Sequence, residues 1–263
     1  MELLRKERVD RGIKVRTEGI YAISGWQEIF YLLLPRLLLI GGLLVLPLIL
    51  EPFPYWKRVV NMMCAYAILS LSFDFLANNV GLVNLGTALF TGVGGYLSAI
   101  FSLKLGLPIF IAIPLATLSG AILSTLLLLP TLPLRGVYFA IVTLMFPLLF
   151  SRIIEALNIL GGTNGISGVS GFEKSFVEEY LIILALLLFL FSLRRLVNED
   201  FGLVLRGVKD NDQAVRASGI NVTWMKAVAV FIAAIFGSFV GSYMVHLYMW
   251  AGLSLFALDF SVI

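Results

Sequence analysis

Long apolar runs separated by short polar connections dominate this chain. A helix crossing ~30 Å of hydrocarbon needs about 20 mostly apolar residues. Seven runs meet or approach that length: Leu37–Trp56, Val59–Ala77, Val80–Leu103, Leu107–Leu132, Val137–Leu157, Tyr180–Leu193 and Ala227–Trp250. The sixth is short as bounded, and Phe176 and Val177 extend it. The first closes on Glu51-Pro52-Phe53-Pro54-Tyr55-Trp56, where the proline pair ends a helix and the aromatics suit a water–lipid interface. The third is interrupted by Gly81, Gly86, Gly92, Gly94 and Gly95, and Thr91, Gly95 and Ala99 recur on one helix face. That pattern fits either close helix packing or a broken helix lining a pathway. In the last run Ala233, Gly237 and Gly241 form a second small face, read as packing. The pattern predicts an all-α integral membrane protein, a polytopic bundle of about seven transmembrane helices, one of them broken by glycine. The membrane domain is placed at residues 37–263 and an amino-terminal segment at 1–36.

Composition sharpens this reading. Of 263 residues, 60% are apolar and 13% charged, where soluble domains have roughly 45–50% and about 25%. The net charge of +3 does not signal nucleic acid, because seven of the nineteen Lys and Arg fall within residues 1–36 and six within 194–226. Basic residues clustered between apolar runs mark the cytoplasmic side. Six spans separate the two basic segments, so both lie on one side and the connection Asn158–Glu179, with one Lys and three Glu, lies on the other. Residues 1–28 carry mixed charge and no apolar core, unlike a cleavable signal peptide, which leaves the amino terminus in the cytoplasm.

The chain carries little that could do bond chemistry. Cys64 is the single cysteine, read as a buried thiol, so neither an intrachain disulfide nor a cysteine metal site is possible. One histidine excludes H-E-x-x-H and three-histidine zinc sites, and His246, beside Tyr243 and Tyr248, reads as a hydrogen-bonded structural histidine. There is neither a G-x-x-x-x-G-K-[ST] phosphate loop nor a G-x-S-x-G nucleophile elbow. No catalytic and no metal-binding residue is assigned. Polar side chains within the runs are candidates for a solute pathway: Asp74, Asn78, Asn84, Thr87, Tyr138, Thr143 and, in an external loop, Asn164. Each serves helix packing equally well. Asp74 has no neighbouring cation in its run, whereas Glu155 has Arg152 three residues before it.

The richest polar segment is 201–226. Asp210 or Asn211 suits a helix start, Asp212 its positive end, Arg216 its negative end and Gly219 the left-handed stop position. The segment predicts a short exposed cytoplasmic helix of about two turns, with Lys226 at the membrane edge. Docking a cytoplasmic protein is the preferred role over a mere connector.

Four stretches resemble permease subunits of the branched-chain amino acid importers driven by ATP-binding cassettes, specifically their LivM-like half. They are Ala65–Leu76 with Gly81–Phe90 and Gly94-Gly-Tyr96; Leu134-Arg-Gly-Val-Tyr-Phe-Ala-Ile-Val-Thr-Leu144; Gly161-Gly-Thr-Asn-Gly-Ile-Ser-Gly168; and the cytoplasmic segment with Gly219-Ile-Asn-Val222. The family's usual Glu-x-Ala-Ala-x-x-x-Gly appears as Asp212, Ala214, Val215 and Gly219, with Val215 departing from the pattern. The resemblance implies a coupling helix within 194–226 on which Asp212, Ala214, Val215, Ala217 and Gly219 dock an ATPase. It also implies two ATP-binding subunits carrying ATP-Mg, a sister permease (LivH-like), an external substrate-binding protein, and a multi-pass place in a prokaryotic inner membrane. No cofactor is assigned to this chain, and no nucleic acid to its partners. Family members continue beyond Ala257–Ile263 into at least one more span, so the chain is expected to lack the family's last span. The function expected is import of branched-chain or other neutral amino acids by alternating access. The alternatives are an ion-coupled secondary transporter using Asp74 and a membrane assembly subunit that transports nothing.

Overall fold

A computed structural model describes residues 26–134, 136–172 and 175–261. Eight α-helices account for most of them: α1 (Trp26–Ile49), α2 (Pro54–Asp74), α3 (Thr87–Lys104), α4 (Ile109–Leu128), α5 (Val137–Leu157), α6 (Ser175–Asn198), α7 (Asp200–Ala217) and α8 (Val222–Tyr248). A π-helical turn, Phe75–Val80, continues α2. Two strands of two residues each, β1 (Ile166–Ser167) and β2 (Trp250–Ala251), pair antiparallel. Seven helices answer the seven apolar runs, and α7 answers the polar segment. Among the described residues, five stretches are long and apolar enough to cross a membrane: Pro54–Val80, Ile109–Thr131, Val137–Leu157, Phe176–Asn198 and Val222–Tyr248. α1 contributes a shorter apolar stretch, Leu37–Ile49, and α3 has 18 residues.

Helix α1 up to Leu46 belongs to one unit, and its last residues, from Pro47, belong with the rest of the chain to a second. The helix begins at Trp26, so the expected boundary at residue 36 falls inside a helix, while residues 1–25 lie outside the described ones. After the turn at Leu50–Phe53, Pro54 takes the first position of α2, where a missing N–H costs no helix bond.

α3, α4 and α8 form the centre of the second unit. Glycines set their spacing. A Cβ on Gly241 would overlap the Thr91 carbonyl, and one on Gly237 would lie 2.5 Å from Phe90 Cβ. Gly94 meets the backbone of Ser238 in the same way, and a Cβ on Gly120 of α4 would lie 3.0 Å from Gly94 Cα. The small faces read from the sequence therefore oppose one another, as close packing in lipid favours. Ser242 Oγ donates to the Gly94 carbonyl at 3.1 Å across the same seam. α8 is accordingly the most enclosed of the five long spans, 72% buried against 28% for α5.

The interruption predicted in the third run is confined to its start. Gly81 is left-handed (φ +76), residues 81–86 are non-helical, and α3 then runs unbroken through Gly92, Gly94 and Gly95. These three glycines admit neighbours instead of breaking the helix: Gly92 lies against the Phe256 ring and Gly95 against Leu255. The chain after β2 folds back into the bundle, where Phe256 stacks on Tyr96 and Phe150, and Phe260 on Tyr66.

Candidate functional site

The polar segment is more structured than a two-turn helix. α7 is broken at Asn211, whose backbone is extended (φ −156, ψ 94). Its first half is amphipathic, with Gly202, Leu205 and Val208 buried at three-residue spacing. This half packs on the end of α6, where Gly202 abuts the Val197 backbone and Arg206 donates to the Val197 carbonyl. The second half, Asp212–Ala217, is the short helix expected. Asn211, not Asp210, caps it: Asn211 Oδ1 accepts from the N–H of Gln213 at 3.1 Å and of Ala214 at 3.2 Å. Such a cap contributes about 1 kcal/mol. The stop is a Schellman turn with Gly219 at φ +84; Gly219 N–H reaches Arg216 and Ile220 N–H reaches Val215.

Ala214, Ala217 and Gly219 are exposed and Asp212 is half-buried. Val215 differs, since its Cγ2 lies 3.2 Å from where a Gly207 Cβ would stand. It packs the short helix onto the first half of α7 instead of facing outward. A cavity of about 420 Å³ opens beside this helix, lined by Gly81, Gly136, Lys209, Asp212, Gln213 and Lys226. Lys226, expected at the membrane edge, is 6% exposed.

The pathway candidates separate into three groups. Asp74 and Asn78 meet on an exposed face, Asn78 Nδ2 donating to Asp74 Oδ1. Asn84, Thr87 and Thr143 are buried around the entry into α3: Asn84 lies in its non-helical stretch, Thr87 opens the helix, and Thr143 reaches it from α5. There Thr143 Oγ1 accepts from Leu85 N–H at 3.2 Å, and Asn84 Oδ1 accepts from Gly86 N–H at 3.0 Å. Ser261 Oγ adds a third acceptor, for Ala88 N–H at 3.0 Å. An interrupted helix in lipid must have its freed donors satisfied by protein or trapped water, and these side chains do so. Tyr138 stands apart, 74% exposed on the first turn of α5. Asn164 lies at the other end of the bundle, its carbonyl accepting from Trp250 Nε1 at 3.0 Å.

The partners of two polar groups could not be read in the sequence. Lys57 and Glu179 form a buried ion pair of 3.1 Å between α2 and α6, with Lys57 Nζ 5.0 Å from the Phe176 ring centre. Each charge stands at the start of a span, but nothing in the spacing along the chain pairs the two. His246 joins three elements, its Nε2 2.9 Å from Ser98 Oγ and its Nδ1 2.7 Å from the Ser170 carbonyl. The carbonyl only accepts, so Nδ1 carries a proton, and in the neutral ring Nε2 then accepts from Ser98 Oγ. This is the structural histidine the sequence suggested. Arg152 and Glu155 pair at 2.8 Å on the exposed side of α5.

Comparison with known proteins agrees with this architecture. Residues 56–262 match the family model described as "Branched-chain amino acid transport system / permease component". The chain is 31% identical over 215 residues to the high-affinity branched-chain amino acid transport system permease protein LivM of Salmonella typhimurium, covering 70% of this chain and 51% of that one. LivM of Escherichia coli is 29% identical over the same length and shares. A probable branched-chain amino acid transport permease protein LivM of Methanocaldococcus jannaschii is 28% identical over 217 residues, 67% of this chain and 63% of its own. The chain thus spans about half the length of the two bacterial relatives. No solved structure matches it. A helical membrane bundle whose sequence matches one family model across residues 56–262 belongs to that family: the chain is a member of the branched-chain amino acid transport permease family.

Proposed function

We propose that the chain is a transmembrane permease subunit of an ATP-driven importer for branched-chain or other neutral amino acids. The observation that carries this reading is the short helix Asp212–Ala217, capped at both ends and exposed at one end of a bundle of the permease family. ATP-Mg is bound and hydrolysed by two partner subunits that seat against Asp212, Ala214, Ala217 and Gly219, with Val215 bracing the helix from behind. A sister permease completes the membrane assembly, a substrate-binding protein delivers solute from outside, and the substrate crosses by alternating access. Asp74 and Asn78 serve as polar lining. The membrane domain takes in residues 37–263, with 194–226 as its coupling segment and 1–36 in the cytoplasm of a prokaryotic cell.

The reading is tested by reconstituting the full assembly in proteoliposomes and following leucine uptake. Uptake will require ATP and persist when proton and sodium gradients are collapsed. Asp74→Asn keeps a hydrogen-bonding partner for Asn78 and will leave uptake within about two-fold of the parent. Uptake driven by an ion gradient without ATP, and lost in Asp74→Asn, would establish the secondary-transporter alternative instead.

Orientation has its own test. In a Cys64→Ala background, an impermeant thiol reagent on intact cells will label Thr163→Cys, in the loop before β1, and spare Ser218→Cys. Labelling of Ser218→Cys alone would invert the topology.

A further inference from the structure

Lys209 lies in the first half of α7, outside the exposed turn assigned to ATPase docking. Its Nζ donates to the main-chain carbonyl of Asn78 at 2.9 Å. Asn78 belongs to the π-helical turn that ends α2, and carbonyls at a helix end have no partner within the helix. The same residue holds Asp74 through its side-chain amide. Asn78 therefore joins α7 through its main chain and the candidate pathway carboxylate through its side chain.

The contact is close because Gly81 permits it. A Cβ there would lie 3.1 Å from Lys209 Cγ and 3.6 Å from Lys209 Cα. Gly81 also needs its left-handed conformation (φ +76) to turn the chain out of the π-helical turn, with its N–H reaching the Leu76 carbonyl. A π-helical turn is rare and is frequently found at functional sites. Here it sits between an element placed to receive a partner and the exposed Asp74–Asn78 pair. The non-helical stretch 81–86 follows at once, so α3 does not hold the turn rigidly through continuous helix.

We infer that Lys209 is a positioning residue for energy coupling: it fastens α7 to the π-helical end of α2, so that displacement of α7 by the ATP-binding partner shifts Asp74 and Asn78. This rests on the docking role proposed above, and the experiment separates the two.

The full assembly in proteoliposomes is compared for parent, Lys209→Met and Lys209→Arg, reading three quantities: co-purification of the ATP-binding subunit, ATP hydrolysis, and leucine taken up per ATP hydrolysed. Lys209→Met keeps the apolar stem and removes the donor. It will co-purify and hydrolyse ATP like the parent, while uptake per ATP falls about five-fold or more, the lower end of ordinary coupling between sites. Lys209→Arg, which still reaches the carbonyl with a cationic donor, will restore most of the ratio. An unchanged ratio in Lys209→Met overturns the inference alone. Loss of co-purification in Lys209→Met also overturns it, because Lys209 would then only hold α7 in place. Failure of the parent itself to bind an ATP-binding subunit would overturn the docking reading and this inference with it.

Discussion

Gly241→Leu will destroy the bundle, and the protein will no longer elute as a single species after detergent extraction. Even a methyl group at this position overlaps the Thr91 carbonyl, and its next contacts are Thr91 C at 2.7 Å and Cα at 2.8 Å. These are backbone atoms of α3, so no side chain can rotate away. The two helices must separate, and separation breaks more than one contact. Ser242 loses the Gly94 carbonyl, and Thr91 Oγ1, which donates to Leu255 at 2.7 Å, is pulled from the returning carboxy-terminal segment. Overpacking a tight interior costs roughly 3 kcal/mol at its upper ordinary range. Helices in lipid gain no hydrophobic force to offset it, since tails are as apolar as leucine. The control is Gly42→Leu in α1, where an added Cβ meets nothing within 4 Å. It will extract and elute like the parent. Equal behaviour of the two variants would show that α3 and α8 are not packed at this distance.

The glycine pattern shows how far the sequence could be read. Run length alone located seven helices, because a bilayer admits few other ways to satisfy a backbone. The same five glycines of the third run could not be sorted from their own spacing. Gly81 breaks the helix while Gly92 and Gly94 pack it, and the neighbours concerned, Lys209 at Gly81, Phe256 at Gly92 and Ser238 at Gly94, come from far along the chain. Thr143 was legible as polar, but not as the acceptor for Leu85, 58 residues away. Lys57 and Glu179 escaped for the same reason, since partners on two different helices leave no local spacing to detect. The first half of α7 is a miss of another kind. Gly202, Leu205 and Val208 follow a helical period that a count of apolar positions would have found. Caps, being local, fared best, and the choice left open between Asp210 and Asn211 fell to Asn211 through its two short-range acceptor bonds.

Ala214→Arg will release the ATP-binding subunit while membrane insertion stays normal. Ala214 lies in the first turn of the short helix, exposed, with its N–H held by Asn211 and its carbonyl accepting from Ser218 N–H. Its backbone is therefore fixed from both ends, and a longer side chain can only project into whatever covers it. A small residue at that position lets a partner surface approach closely. An arginine there leaves an unpaired charge in the contact, a penalty of about 3–5 kcal/mol when the charge is buried. That corresponds to a loss of affinity of roughly two to four orders of magnitude, which a pull-down reads as absence. The helix itself will survive, because arginine is a good helix former and the cap is untouched. Lys226→Ala is unsuitable as a control, since Lys226 is buried and lines the cavity that Asp212 also lines. Thr223→Arg serves instead: Thr223 is exposed on the first turn of α8 and the change adds the same charge. The ATP-binding subunit will co-purify with Thr223→Arg and not with Ala214→Arg. If it co-purifies with both, the exposed turn is not the docking surface. If it is lost from both, added charge anywhere along residues 212–223 disrupts the contact, and the assignment to Ala214 fails.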